Sequence, residues 1–269
     1  MPEHLFPSWI STLFAGLGGA VIGSFFNVVI YRIPRGESVI WPASHCPHCS
    51  SKIAPWQNIP VLSWLFLKGK CANCRASINI IYPIVEFFTA LVSLILFYWL
   101  FILQNELSLS TKIALYYYIL ITIPIFYLDF KHYLIPDVLN YSGIILAIPL
   151  AFLPGGLTIQ SFLIGLFGCG FIFWATGFLV SRLLKKEALG LGDVKLLAMS
   201  GALFGLSTSL LGLFIGAFVA LIAIMPILIF RKGENRKYIP FGPFICTGVI
   251  IATMWGDILV SKYLELIRF

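Results

Sequence analysis

The sequence predicts an all-α polytopic membrane protein with about eight transmembrane helices and one small polar insert. Three observations carry that prediction. Hydrophobic residues make up 59% of the 269 and charged residues only 11%, against roughly 25% charged in a soluble globular chain. Mean hydropathy is +0.96. Eight apolar stretches approach the ~20 residues needed to cross a bilayer core, at residues 9–31, 82–103, 113–128, 138–153, 159–184, 194–204, 207–230 and 241–263.

The first stretch begins near Trp9 with no basic lead-in and no small-residue cleavage site after a short core. It is too long for a secretory signal and reads as a retained helix. The sixth is short, and Gly201 and Gly205 mark a broken or tilted segment. Gly16, Gly19 and Gly23 in the first stretch and Gly212 and Gly216 in the seventh have the spacing that lets helix backbones approach closely in a membrane. Gly16-Leu17-Gly18 is no dinucleotide fingerprint, because it follows no strand and Val21 stands where the third glycine belongs.

Charge placement predicts orientation. Fifteen of the 18 Lys and Arg fall in alternate connections: Arg32, Arg35, Lys52, Lys68, Lys70, Arg75; Lys131; Arg182, Lys185, Lys186, Lys195; and Arg231, Lys232, Arg236, Lys237. Lys112, Lys262 and Arg268 lie on the other side. The rich side faces the cytoplasm by the positive-inside rule, which leaves both termini outside. The net charge of +7 is then explained by topology and anionic lipid headgroups, and no nucleic-acid partner is expected.

Between the first two helices, residues 32–81 form a polar segment rich in proline. The expected organisation is a first helix at 1–31, a cytoplasmic insert at 32–81 and a helical bundle at 82–269. The insert holds Cys46-Pro47-His48-Cys49 and Cys71-Ala72-Asn73-Cys74, with 21 residues between the pairs. Two such knuckles describe a four-thiolate zinc site with a closed, structural shell. Disulfides are disfavoured in a reducing compartment, and a redox dithiol needs only one pair. His45 and His48 are adjacent alternatives as ligands. Zinc would stabilise an insert too small to build much core. Cys169 and Cys246 stand alone in apolar runs and read as buried packing residues.

Acidic residues are scarce, 11 in 269, and one beside a membrane span implies function. Asp193 lies in the turn Gly190-Leu191-Gly192-Asp193, and Asp129 closes an earlier apolar run; both fall on the predicted cytoplasmic side. The pair reads as a water-activating acid dyad. Two nearby carboxyls do not both ionise, which supplies one base and one acid without a metal. Asp193 begins a helix, where the dipole favours the anion, and Asp129 ends one, so Asp193 is expected as base and Asp129 as acid. Asp137 follows Pro136 and reads as a helix N-cap. Lys195 either offsets the charge of the pair or touches lipid phosphate. Glu86 either attracts a substrate amine or methyl donor or makes a structural hydrogen bond.

Six segments in order resemble the bacterial type IV prepilin peptidases: Gly23-Ser24-Phe25-Phe26-Asn27-Val28-Val29-Ile30-Tyr31-Arg32-Ile33-Pro34; the cysteine knuckles with Asn58-Ile59-Pro60-Val61-Leu62-Ser63-Trp64 between them; Tyr82-Pro83-Ile84-Val85-Glu86; residues 129–137; the Gly-x-Gly-Asp motif; and Ile239-Pro240-Phe241-Gly242-Pro243-Phe244. The resemblance implies a bacterial inner-membrane aspartyl protease that cuts the leader from prepilins of type IV pili and pseudopilins of type II secretion. It also implies N-methylation of the new amino terminus by S-adenosylmethionine. It carries the catalytic role onto Asp129 and Asp193 and zinc onto Cys46, Cys49, Cys71 and Cys74. No glycine-rich strand-turn-helix for the adenosyl group is visible, so the cofactor site has no residue assigned. Two other classes compete. A transporter would place its carboxylates near the midplane, and a zinc-stabilised membrane scaffold would need no dyad.

Overall fold

A computed structural model of the chain describes residues 7–186, 189–230 and 240–267, the side chains of 226–230 excepted. The basic connection Arg231, Lys232, Arg236 and Lys237, together with Ile239, Arg268 and the chain termini, lies outside the described residues. Two compact units are present, Met1–Glu106 and Leu107–Phe269. Among the described residues there is no strand, only two isolated β-bridges.

The first unit pairs α1 (Ser8–Arg32) with α3 (Ile81–Phe97), which continues as a π-helical turn over Tyr98–Leu103. The insert between them has one short helix, α2 (Leu62–Phe66). Glycines set the spacing of α1 and α3. A Cβ built on Gly19 would lie 2.3 Å from Ser93 Cβ, and one on Gly23 would lie 2.8 Å from Glu86 Cα. The Ser93 hydroxyl crosses the seam to donate to the Ala15 carbonyl at 2.6 Å.

The second unit contains α4 (Leu109–His132), α5 (Asp137–Leu150), α6 (Ile159–Leu184), α7 (Leu191–Phe204), α8 (Leu206–Phe230) and α9 (Gly242–Ile267). Ser108 and Thr158 cap α4 and α6 by accepting N–H groups of Thr111 and Ser161, satisfying donors that have no intrahelical acceptor. Helix α4 runs four residues past the expected stretch at each end, because its caps admit Lys112 and Asp129 into the helix. Gly205 alone, at φ +84°, separates α7 from α8. Close approach again rests on glycine: Gly165 and Gly201 pair across α6 and α7, and Gly248 of α9 meets Gly212 and Gly216 of α8.

Helices occupy all eight expected stretches. Among the described residues six helices are long and apolar enough to cross a membrane by length and composition; α5 and α7 are shorter, at 14 residues each. The chain is a multi-pass helical membrane protein. Large apolar side chains such as Phe14, Phe87, Phe167 and Phe214 are exposed, which is the arrangement a lipid solvent requires.

Candidate functional site

Asp129 lies in the last turn of α4 and is 5% exposed. Its Oδ2 accepts the backbone N–H of Gly242, the first residue of α9, at 2.9 Å. That donor is one of the N–H groups a helix start leaves without an intrahelical acceptor, and it carries the positive end of a 26-residue helix. Only glycine fits there, since a Cβ would lie 2.8 Å from Asp129 Oδ2 and 2.8 Å from Ile135 Cδ1.

Asp193 is the third residue of α7, whose N-cap is Gly190. The expected turn is thus the helix's own first turn, entered three residues earlier than the hydrophobic pattern indicated. A Cβ on Gly190 would lie 3.3 Å from Asp193 Oδ2, so the carboxylate folds back over the helix start, as acids at this position do. Asp193 Oδ1 is buried with no hydrogen-bond partner among the described residues.

Ile135 joins the two halves of the site. Its side chain lies against both Gly242 and Gly192; a Cβ on Gly192 would lie 3.2 Å from Ile135 Cβ. The end of α4 and the starts of α7 and α9 therefore meet at one end of the unit. Burial, with the Asp129 carboxylate adding to it, pushes the Asp193 carboxyl up to about 7. Further along, Tyr118 of α4 and Ser200 of α7 share a buried hydroxyl–hydroxyl bond at 2.9 Å, which fixes the two carboxylate-bearing helices to each other.

The end of its own helix is not the only helix terminus near Asp129. Asp129 does end α4, but it also faces the start of α9, and the Gly242 N–H suits an ionised oxygen. The motif around Gly242 was visible in the sequence; that its backbone reaches Asp129 was not. Asp137 is the first helical residue of α5, with Pro136 in the cap position, so it is not the N-cap. Its carboxylate holds Lys195 Nζ at 2.7 and 2.8 Å. The lysine thus answers a third carboxylate, in place of the dyad or a lipid phosphate.

In the first unit the four paired cysteines come together. Their sulfurs lie within 4.8 Å of one another, and Cys46 Sγ is 3.8 Å from Cys74 Sγ. A tetrahedral zinc with bonds of about 2.3 Å separates its sulfurs by about 3.8 Å, so the donors fit the ion. The two knuckles repeat one bonding pattern. The Cys46 N–H donates to the Ser51 carbonyl at 3.0 Å and the Cys71 N–H to the Ala76 carbonyl at 2.8 Å; Ser50 and Arg75 occupy matching left-handed positions. A hydrogen bond with the Ser51 hydroxyl, aided by the Ser51 backbone, lowers the Cys49 thiol to about 6, which favours the thiolate that a metal binds. His45 and His48 stand outside the cluster. All six cysteines are free of disulfides, and Cys169 and Cys246 are buried as expected.

Glu86 resolves toward structure. Its Oε2 accepts the Val61 N–H at 2.7 Å, and its Oε1 accepts Asn27 Nδ2 at 3.4 Å. Both carboxylate oxygens are engaged within the first unit.

The chain resembles known proteins over most of its length. The bacterial peptidase A24 N-terminal domain model matches residues 17–100, and the type IV leader peptidase family model matches residues 114–225. A protein of Stutzerimonas stutzeri is 33% identical over 285 residues, covering 93% of this chain and 92% of its own length. One from Pseudomonas aeruginosa is 34% identical over 284 residues, with 93% and 92% covered. A third, from Legionella pneumophila, is 31% identical with 95% of each chain covered. Each of the three bears the name prepilin leader peptidase/N-methyltransferase. No solved structure matches.

Proposed function

Because the chain belongs to the type IV leader peptidase family, we propose that it is a membrane aspartyl endopeptidase that removes the leader of prepilins and pseudopilins and then N-methylates the new amino terminus. The observation that carries this reading is that the end of α4 with Asp129 and the first turn of α7 with Asp193 come together around Ile135, beside the N–H-lined start of α9. S-adenosylmethionine is the methyl donor that the relatives' name points to. The chain sits in the bacterial inner membrane with both termini outside, and the dyad and the zinc insert of residues 32–81 face the cytoplasm.

In the resting dyad Asp129 is the carboxylate and Asp193 holds the proton. The Gly242 N–H stabilises charge on Asp129, while the unpartnered oxygen of Asp193 has substrate or water as its remaining partner. Asp129 takes a proton from water as the water oxygen bonds to the scissile carbonyl carbon. Asp193 gives its proton to the carbonyl oxygen, leaving a neutral diol. Collapse returns a diol proton to Asp193, Asp129 protonates the departing nitrogen, and the C–N bond breaks. Cys46, Cys49, Cys71 and Cys74 would hold zinc in a filled shell, which supplies rigidity to the insert and no open position for chemistry.

The test is mass spectrometry of a pilin co-expressed with the wild-type chain or with Asp129→Asn or Asp193→Asn. Wild type yields a mature pilin carrying one methyl. Each variant leaves the leader in place, with rates reduced by at least ~100-fold, the range expected for loss of an acid or base. Normal cleavage by either variant refutes the dyad.

A further inference from the structure

Helix α2 presents its apolar residues outward. Leu62 is 49%, Leu65 57% and Phe66 82% exposed, while Ser63 is buried and Trp64 turns inward, its ring against Gly69 and its Nε1 donating to the Ile78 carbonyl. Positions 62, 65 and 66 share one helix face. Ile59 and Trp56, just before the helix, are 47% and 71% exposed. In an aqueous domain the pattern is inverted, with the polar residue inside and the oily ones outside.

The position of this helix relative to α3 follows from one hydrogen bond. Glu86 Oε2 holds the Val61 N–H, the residue preceding α2, at 2.7 Å. Glu86 lies five residues inside the apolar span Ile81–Leu103, about 7 Å along the helix axis. Val61 is held there at φ 62° and ψ −50°, the centre of a tight γ-turn closed by the Leu62 N–H on the Pro60 carbonyl, a conformation a β-branched residue adopts only when its surroundings impose it. The start of α2 is thereby held beside the first turns of a helix long and apolar enough to span a membrane. The insert's charge agrees. Residues 32–81 hold six basic residues against one acid, Glu37, and Lys68 and Lys70 stand exposed immediately after α2. A tryptophan, an apolar helix face and flanking lysines are the composition that settles in a headgroup layer.

We infer that α2 is an interfacial anchor: Leu62, Leu65 and Phe66 enter the same bilayer that α1 and α3 span, and Lys68 and Lys70 reach its anionic headgroups. The insert is then tethered to the membrane surface at a third point besides its two helices.

The test uses the full-length protein in vesicles of phosphatidylethanolamine and phosphatidylglycerol. A ketone amino acid, p-acetylphenylalanine, replaces Phe66, or Leu65 in a second sample, and takes a nitroxide without touching the cysteines. The same label at exposed Lys52, on the first cysteine knuckle, is the aqueous reference. Zinc content equal to wild type shows that the insert is intact. The expected result is a label at 66 and at 65 relaxed more by oxygen than by a water-soluble nickel chelate, with the order reversed at 52. Chelate-dominated relaxation at 66 and 65 would mean a water-facing helix and would overturn the anchor. Protection from both relaxants would mean cover by protein, whether substrate, a second copy or another part of this chain, and would overturn it equally.

Discussion

Gly242 and Asp129 stand 113 positions apart in the chain, yet the backbone N–H of the first donates to the carboxylate of the second at 2.9 Å. The bond is made by a residue with no side chain, at the first position of a long helix. It gives Asp129 a fixed orientation and a preference for negative charge that its own helix end does not supply.

Gly242→Ala should therefore injure catalysis without injuring the rest of the protein. The new methyl would meet Asp129 Oδ2 and Ile135 at 2.8 Å, forcing the carboxylate to shift. Displacements near 1 Å cost about 100-fold in rate. Leader cleavage should fall by about that factor, with zinc content and membrane insertion unchanged. Cleavage at the wild-type rate would show that the glycine is not part of the site.

The resting proton can be located directly. Infrared spectroscopy of the protein at neutral pH should show a protonated carboxyl band that disappears in Asp193→Asn and persists in Asp129→Asn. The opposite pattern would return the proton to Asp129 and reverse the two roles.

Lys195 and Asp137 form an ion pair whose side chains are 36% and 51% exposed. Exposed pairs contribute less than about 1 kcal/mol. Lys195→Met should lower thermal stability slightly and leave cleavage within about fivefold of wild type, the most that ~1 kcal/mol corresponds to. A loss comparable to the Asp193 variant would place the lysine in the chemistry after all.

Cys71→Ser removes one thiolate from the proposed zinc cluster, and in such small sites folding is coupled to metal binding. Elemental analysis should give about one zinc per wild-type chain and well under one in the variant, and protease should cut the variant's insert first. Both aspartate variants should keep their zinc. Full zinc occupancy in Cys71→Ser would remove Cys71 from the ligand set.

Much of this was legible along the chain. Hydropathy located each of the helices outside the insert, because lipid demands long apolar runs, and the α6 stretch was read to the residue; α2, five residues long in a polar segment, gave no such signal. The cysteine spacing brought four sulfurs together, since two tight turns can offer them only inward. Asp129 and Asp193 stood out because a carboxylate is rare in such a composition. What escaped was contact between distant segments. No local pattern tells that the start of α9 faces Asp129, that Ile135 wedges between two glycines, or that Lys195 chooses Asp137. The extent of α7 was missed for a related reason: glycines at 190 and 192 read as a turn, although the first turn of a helix tolerates them once its carboxylate covers the N-cap.

The glycine seams between α1 and α3, α6 and α7, and α8 and α9 have a consequence for variation in this protein. Where two backbones touch, a single added methyl has no direction in which to yield, whereas a phenylalanine facing lipid can become leucine with little effect. The smallest side chains are thus the least exchangeable, and sequence drift should collect on the bulky ones.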